Sequence, residues 1–105
     1  MQIYSRDLAI VKDLLCTHIP ELEVWAFGSR VHGRTLKKFS DIDLAVIGEA
    51  PIEAALLEEL KEAFDASDLP FRVDVVDYAS ASQTFRDIIQ REHEVIQASR
   101  KETSA

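Results

Sequence analysis

Cysteine and long apolar stretches are the two features that this sequence most clearly lacks. Its single cysteine, Cys16, excludes an internal disulfide and fits a reducing compartment. Because Cys16 follows Leu14 and Leu15 in a helical pattern, we predict that it fills the core. No apolar run approaches the roughly 20 residues of a membrane span, and residues 1–7 do not resemble a signal peptide. We therefore expect a cytoplasmic protein with no membrane partner.

Basic residues are fewer than acidic ones, and they are unevenly distributed. Lys and Arg number 12 against 19 Asp and Glu, so the formal net charge is −7. An acidic surface repels a polyanion, which argues against direct nucleic-acid binding. Residues 28–40 nevertheless contain no acid and four cations, namely Arg30, Arg34, Lys37 and Lys38. This basic segment indicates a small anionic ligand, although a solvated loop that is basic by chance would have the same composition.

The length of 105 residues suits one domain, in which about 65% of the unfolded surface is buried on folding. Apolar residues make up 47% and charged residues 30%, as in ordinary globular proteins. We predict a single domain over residues 1–97 and a polar C-terminal tail over residues 98–105.

Hydrophobic periodicity predicts alternating helices and strands. Helical spacing predicts a first helix that Ser5 can cap, with Asp7 in its first turn, and a second helix with Pro51 in its first turn. A capping box at Ser80 and Gln83 predicts a last helix, whose inward residues include Ile96. β-rich segments predict three strands, over residues 23–27, 41–47 and 71–77. The fold class is then α/β (α+β), a small mixed sheet of about three strands with helices packed on it.

The connections between these strands predict their directions. A helix joins the second and third strands, so we expect a parallel pair with a right-handed crossover. A loop of about 13 residues joins the first and second strands, which suits an antiparallel pair. An antiparallel pair brings Gly28 and Ser29, at the end of the first strand, beside Asp41 and Asp43, at the start of the second.

Asp41 and Asp43 are the first candidate metal ligands. Side chains alternate along a strand, so both carboxylates point to one face while Ile42 and Leu44 take the other. Carboxylates that close repel each other unless they share a cation or one is protonated. The pattern therefore indicates a hard divalent ion such as Mg²⁺, held together with substrate phosphates. Two exposed aspartates on the wet face of an edge strand are the structural alternative.

A third carboxylate would complete a two-metal site, and the third strand offers Asp74 and Asp77. They are three positions apart and so face opposite ways. Asp74 lies near the start of a strand parallel to the second, at the height of Asp41 and Asp43. An acid flanked by Val73 and Val75 is also hard to explain without a function. We therefore choose Asp74.

The turn after the first strand supplies candidate phosphate ligands. Gly28 lets the backbone approach a phosphate closely, and Ser29 offers a hydroxyl and a backbone N–H at a helix start. Arg30 is the basic residue best placed to bind further phosphate oxygens.

Together, Gly28-Ser29, Asp41-Ile42-Asp43 and Asp74 resemble the motif of the DNA polymerase β-like nucleotidyltransferase superfamily, and its minimal nucleotidyltransferase (MNT) branch in particular. The resemblance covers about residues 8–97. It implies the polymerase β-like nucleotidyltransferase fold, with a nucleoside triphosphate at the Gly-Ser turn and two Mg²⁺ held by the three acids. The eleven residues between Ser29 and Asp41 are one more than the family pattern usually has, which affects where Lys37 and Lys38 are placed.

The activity that the resemblance implies is transfer of a nucleoside monophosphate, most often AMP from ATP, to a hydroxyl acceptor. Members of this branch are commonly paired with a small helical HEPN-type protein. That partner is regarded either as a nucleotide- or substrate-binding subunit or as a ribonuclease toxin, which the transferase neutralises by adenylylating a tyrosine. Since the chain has no room for an acceptor-binding domain, we expect a homodimer mate or another protein to supply the acceptor.

Two other functions compete with this one. A non-catalytic antitoxin would neutralise or complement a HEPN partner by complex formation alone. A phosphohydrolase with an aspartyl nucleophile would place its acids at the C-terminal end of a parallel strand, whereas here Asp41 and Asp43 open the strand. We therefore prefer a Mg²⁺-dependent nucleotidyltransferase that acts as an antitoxin.

Overall fold

The computed structural model describes residues 4–28 and 42–98. Its elements, in chain order, are α1 (Ser5–His18), β1 (Glu23–Phe27), β2 (Ile42–Ile47), α2 (Ala54–Asp65), β3 (Val73–Asp77), a short 3₁₀ helix (Tyr78–Ser80), α3 (Gln83–Arg91) and β4 (His93–Gln97).

The strands form one mixed sheet in the order β3-β2-β1-β4. β1 pairs antiparallel with β2, and β2 pairs parallel with β3 across the α2 connection. Both directions agree with the prediction from connection lengths, so the predicted class of a mixed sheet with packed helices is confirmed. The predicted strand count was wrong, because a fourth strand pairs antiparallel with the other edge of β1.

The fourth strand replaces the end of the predicted last helix. α3 ends at Arg91, and Ile96 is buried as a residue of β4 rather than of a helix. Without β4, one edge of β1 would leave its backbone N–H and C=O groups unpaired. This pairing joins segments some seventy residues apart in the chain, so local periodicity did not reveal it.

One face of the sheet carries the main core. Alternate strand residues point into it, and α1 and α2 cover it with Val11, Leu15, Leu60 and Phe64. Cys16 does not belong to this core, contrary to the prediction, and is exposed. The buried stripe of α1 runs through Val11 and Leu15, and the residue after Leu15 is rotated about 100° away from it.

The opposite face is covered by α3. Phe27, Ala45 and Ile89 form a smaller buried cluster there, and the rings of Phe27 and Phe85 meet edge to face at 5.7 Å. No helix in residues 4–28 and 42–98 is both long and apolar enough to cross a membrane.

The residue that caps α3 differs from the predicted one. The Ser82 hydroxyl accepts a hydrogen bond of 3.2 Å from the backbone N–H of Phe85. Ser80 instead donates its hydroxyl to the Asp77 carboxylate at 2.8 Å, within the 3₁₀ turn that precedes the helix. Both serines lie near the helix start, and only the path of this turn distinguishes them.

Candidate active site

A row of four residues crosses one face of the sheet, along the rim at which β1 ends and the other three strands begin. Asp74 of β3 is the register partner of Asp43 of β2, Asp43 pairs with Phe27 of β1, and Phe27 pairs with His93 of β4. Cross-strand partners share a face, so all four side chains lie on the side opposite α1 and α2. We call these residues the edge row.

Asp43 lies directly against the turn that ends β1. Gly28 has φ +94, a left-handed conformation that side chains rarely adopt, and a Cβ added there would collide with the Asp43 Oδ2 atom. Only glycine therefore lets the chain turn at this point while the carboxylate keeps its place. The predicted meeting of Gly28 with the start of the second strand is confirmed.

Asp74 sits beside Asp43 and carries an ion pair of its own. Its Oδ1 atom is 3.3 Å from Nε of Arg72, with the two side chains 41% and 73% exposed. An ion pair this exposed contributes little stability, so Arg72 is easily displaced by another cation. The backbone carbonyl of Arg72 also accepts from the N–H of Ile42 at 2.9 Å, which aligns the starts of β2 and β3.

Asp77 occupies a different place and holds the fold together locally. It lies at the other end of β3, where its Oδ2 atom accepts from the Ile52 N–H at 3.2 Å and from the Ser80 hydroxyl at 2.8 Å. Asp74, the register partner of Asp43, is thus the β3 acid on the edge row.

The other predicted site residues, Ser29, Arg30 and Asp41, lie outside the described residues. In the part of the chain that the structure does describe, no three His, Cys, Asp or Glu side chains form a metal-binding group. Asp43 and Asp74 nonetheless fit a hard divalent cation. They occupy paired positions on neighbouring strands and face the same side of the sheet, and carboxylate oxygens are the ligands that Mg²⁺ prefers.

Trp25 and His93 form a stacked pair beside this site that was not identified from the sequence. The indole and imidazole rings are 3.9 Å apart and inclined by 11°. No histidine spacing pointed to a ligand, and His93 reaches the edge row only because β4 pairs with β1. The periodicity around Ile96 contained no signal for this strand.

Comparison with known proteins identifies close relatives. The family model described as "Polymerase beta, Nucleotidyltransferase" matches residues 10–102. A probable protein adenylyltransferase MntA from Haemophilus influenzae is 50% identical over 101 residues, which are 96% of this chain and 88% of that protein.

Solved structures share the fold. A crystal structure described as the toxin-antitoxin with AMP-PNP has a TM-score of 0.71 at 28% identity, covering 92% of this chain and 77% of that one. A tri-AMPylated Shewanella oneidensis HEPN toxin in complex with MNT antitoxin has a TM-score of 0.65 at 24% identity, covering 94% and 76%. At 24% identity, the similarity to this second structure shows a shared fold but does not show a shared function.

Proposed function

This chain belongs to the polymerase beta nucleotidyltransferase family, and from that premise we propose that it adenylylates a partner protein and thereby acts as its antitoxin. Nucleotidyl transfer is the activity of the family. ATP as donor, Mg²⁺ as cofactor and a tyrosine hydroxyl of a HEPN-type toxin as acceptor are the finer parts of the proposal. The observation that carries it is the pairing of Asp43 with Asp74, with Asp43 set against the Gly28 turn.

The proposed reaction displaces pyrophosphate from ATP. The acceptor hydroxyl oxygen bonds to the α-phosphorus, and the bond from the α-phosphorus to the bridging oxygen breaks. Pyrophosphate leaves with that electron pair, and the hydroxyl proton passes to the Asp74 carboxylate. Such a transfer depends mostly on positioning and on neutralising charge, which a rigid sheet edge is suited to provide.

The edge row also suits the cations that this reaction needs. Asp43 and Asp74, together with Asp41, would hold two Mg²⁺. Bound Mg²⁺ neutralises phosphate charge and makes the acceptor hydroxyl easier to deprotonate. The chain contributes by keeping the two carboxylates side by side on paired strands, and by pairing Asp74 with an exposed Arg72 that a metal ion can replace.

The relatives support the choice of donor and acceptor. The relative at 50% identity is described as a probable protein adenylyltransferase, which supports AMP as the group and a protein as the acceptor. The relative at 28% identity is described as a toxin-antitoxin with AMP-PNP, which supports an adenine nucleotide and a toxin partner. The HEPN class of the toxin follows from the resemblance of the Gly28 to Asp74 motif to the MNT branch.

The test is transfer of labelled AMP from ATP to a co-expressed HEPN-type partner. We expect Asp43→Asn to reduce transfer about 100-fold or more, a loss typical of removing one charge-stabilising group from an active site. Asp77→Asn is the matched control, because it makes the same change on a neighbouring strand but at the opposite end of the sheet. It should lower stability and leave the rate per folded molecule unchanged. Undiminished transfer by Asp43→Asn would refute the proposed function.

A further inference from the structure

His93 occupies the end of the edge row, on the side away from Asp74. Phe27 separates it from Asp43, so the Asp43 and His93 backbones are two strand spacings apart, about 10 Å. Both residues face the side of the sheet opposite α1 and α2. Among the residues that the structure describes, His93 is thus the first aromatic side chain with a polar edge that a ligand would meet on leaving Asp43 in the direction of β4.

The imidazole ring of His93 is held in one orientation from two directions. One ring face lies flat on the indole of Trp25, at 3.9 Å and 11°. The Nδ1 atom is 3.2 Å from the backbone carbonyl oxygens of both Ile89 and Gln90, at the end of α3. Carbonyl oxygens only accept hydrogen bonds, so Nδ1 carries a hydrogen. The ring is therefore fixed before any ligand arrives, which lowers the entropy cost of stacking on it.

The supporting indole is itself fixed. Trp25 donates its Nε1–H to the Glu23 carboxylate, and its ring lies 6.0 Å from that of Tyr78. Trp25 packs against the smaller cluster of Phe27, Ala45 and Ile89, and both Trp25 and His93 are half-buried. The pair is thus a rigid aromatic layer at the margin of that cluster, where the packed face of the sheet meets the rim of the site.

The proposed reaction leaves one direction along the row for the nucleoside. Asp74 and the space beside it are needed for the incoming hydroxyl, so the donor cannot extend across β3. Phe27 itself is buried under Phe85 of α3. A nucleotide whose α-phosphate lies at Asp43 and the Gly28 turn can instead extend along the rim of the sheet, past the end of β1, towards β4. The distance of two strand spacings is of the order spanned by a ribose and its base, and it ends at His93.

We propose that His93, backed by Trp25, is the platform on which the base of the nucleotide donor stacks. This inference rests on the proposed function and adds the base-binding position to it. Stacking on an aromatic ring is favourable for every base, since each has a π face. The platform would therefore select nucleotides over bare polyphosphates more strongly than it selects one base over another.

Trp25 is the sole tryptophan of the chain, so its fluorescence reports directly on this layer. The full chain is titrated with ATP and, separately, with tripolyphosphate, both in the presence of Mg²⁺. We expect ATP to change the Trp25 emission and tripolyphosphate to bind without doing so. If ATP binds and the Trp25 emission is unchanged, the base does not stack on His93 and the inference is wrong.

Substitutions at His93 give the second test, with dissociation constants measured by calorimetry. His93→Leu roughly keeps the side-chain volume and removes the π face. We expect it to weaken ATP binding about 5- to 100-fold, as is typical of a lost stacking contact, and to leave tripolyphosphate binding unchanged. His93→Phe keeps a ring and should retain most of the affinity. The control is His18→Ala, which removes another half-buried histidine at the opposite end of the sheet, where α1 leads into β1.

Two outcomes would overturn this inference. If His93→Leu weakens the binding of ATP and of tripolyphosphate equally, His93 contacts the phosphates and not the base. If ATP affinity is unchanged in that variant, His93 does not contact ATP. Neither outcome touches the proposed function, which is tested separately by AMP transfer in the Asp43→Asn variant. Circular dichroism on each variant separates lost binding from lost folding, and the wild-type fluorescence comparison needs no variant at all.

Discussion

At the scale of single residues, Gly28 and Asp43 constrain each other. The left-handed backbone of Gly28 needs a residue without a Cβ, and the space that a Cβ would fill holds the Asp43 carboxylate. The turn that ends β1 and the acid near the start of β2 are therefore one structural unit. A change at either position alters the other.

We accordingly expect Gly28→Ala to be costly in two ways. Forcing a side chain into this backbone conformation should destabilise the fold by about 1–3 kcal/mol, and the new Cβ should push the Asp43 carboxylate out of the row and lower AMP transfer. Chemical denaturation and the transfer assay measure the two effects. Gly48→Ala serves as the control, since its Cβ would meet only the Ala50 carbonyl oxygen at 3.4 Å. Equal behaviour of the two variants would contradict this account of the turn.

At the scale of elements, α3 links the second core cluster to the edge row. It is a helix of nine residues, capped by Ser82, that buries Ile89 against Phe27 and Ala45. Its last carbonyl groups accept from Nδ1 of His93. A helix this short depends on its cap and its packing for stability, because isolated helices of this length are marginal in water. Its integrity therefore influences the position of His93.

We expect Ser82→Ala to destabilise the protein by about 1 kcal/mol, because the N–H of Phe85 loses its capping acceptor. The free energy of unfolding from urea titration measures this loss. The neighbouring variant Thr84→Ala removes an exposed hydroxyl from the same helix and should change stability by no more than about 0.5 kcal/mol. A Ser82→Ala protein as stable as Thr84→Ala would show that the cap is not needed.

At the scale of the whole molecule, the two faces of the sheet have separate tasks. The face under α1 and α2 is closed by the main core, with Leu15, Leu44 and Leu60 fully buried. The face under α3 carries the edge row, with Asp43 and Asp74 both half-buried at its margin. In the proposed function, a protein acceptor must therefore reach the α-phosphate from the α3 side.

This arrangement allows catalysis and partner binding to be separated. We expect the double variant Asp41→Asn/Asp43→Asn to bind a HEPN-type partner as the wild type does, because each change removes a charge and keeps the size of the side chain. The same variant should fail to protect cells from that partner, because it no longer modifies the acceptor hydroxyl. Co-purification measures the first property and growth on toxin induction the second. Full protection by this variant would instead favour an antitoxin that acts by binding alone.

Local pattern was enough to predict much of this fold and part of the site. Apolar alternation around Ile42 and Leu44 placed Asp43 on the other face, and the helical connection before Val73 predicted the parallel pair that brings Asp74 beside it. Both follow from rules that act over a few residues or one connection, namely side-chain alternation and crossover geometry. The assignments of Ser29, Arg30 and Asp41 remain predictions, because these residues lie outside the described ones.

The sequence by itself thus determined the mixed α/β class, the antiparallel and parallel pairings around β2, and the meeting of Gly28 with Asp43. Only the tertiary structure decided that Ile96 belongs to a strand, that Ser82 rather than Ser80 caps α3, that Cys16 is exposed, and that His93 joins the edge row. The physical reason is the large separation in sequence between the residues that interact. Strand β4 forms to pair the open edge of a strand some seventy residues earlier, and no periodicity within residues 83–97 contains that requirement.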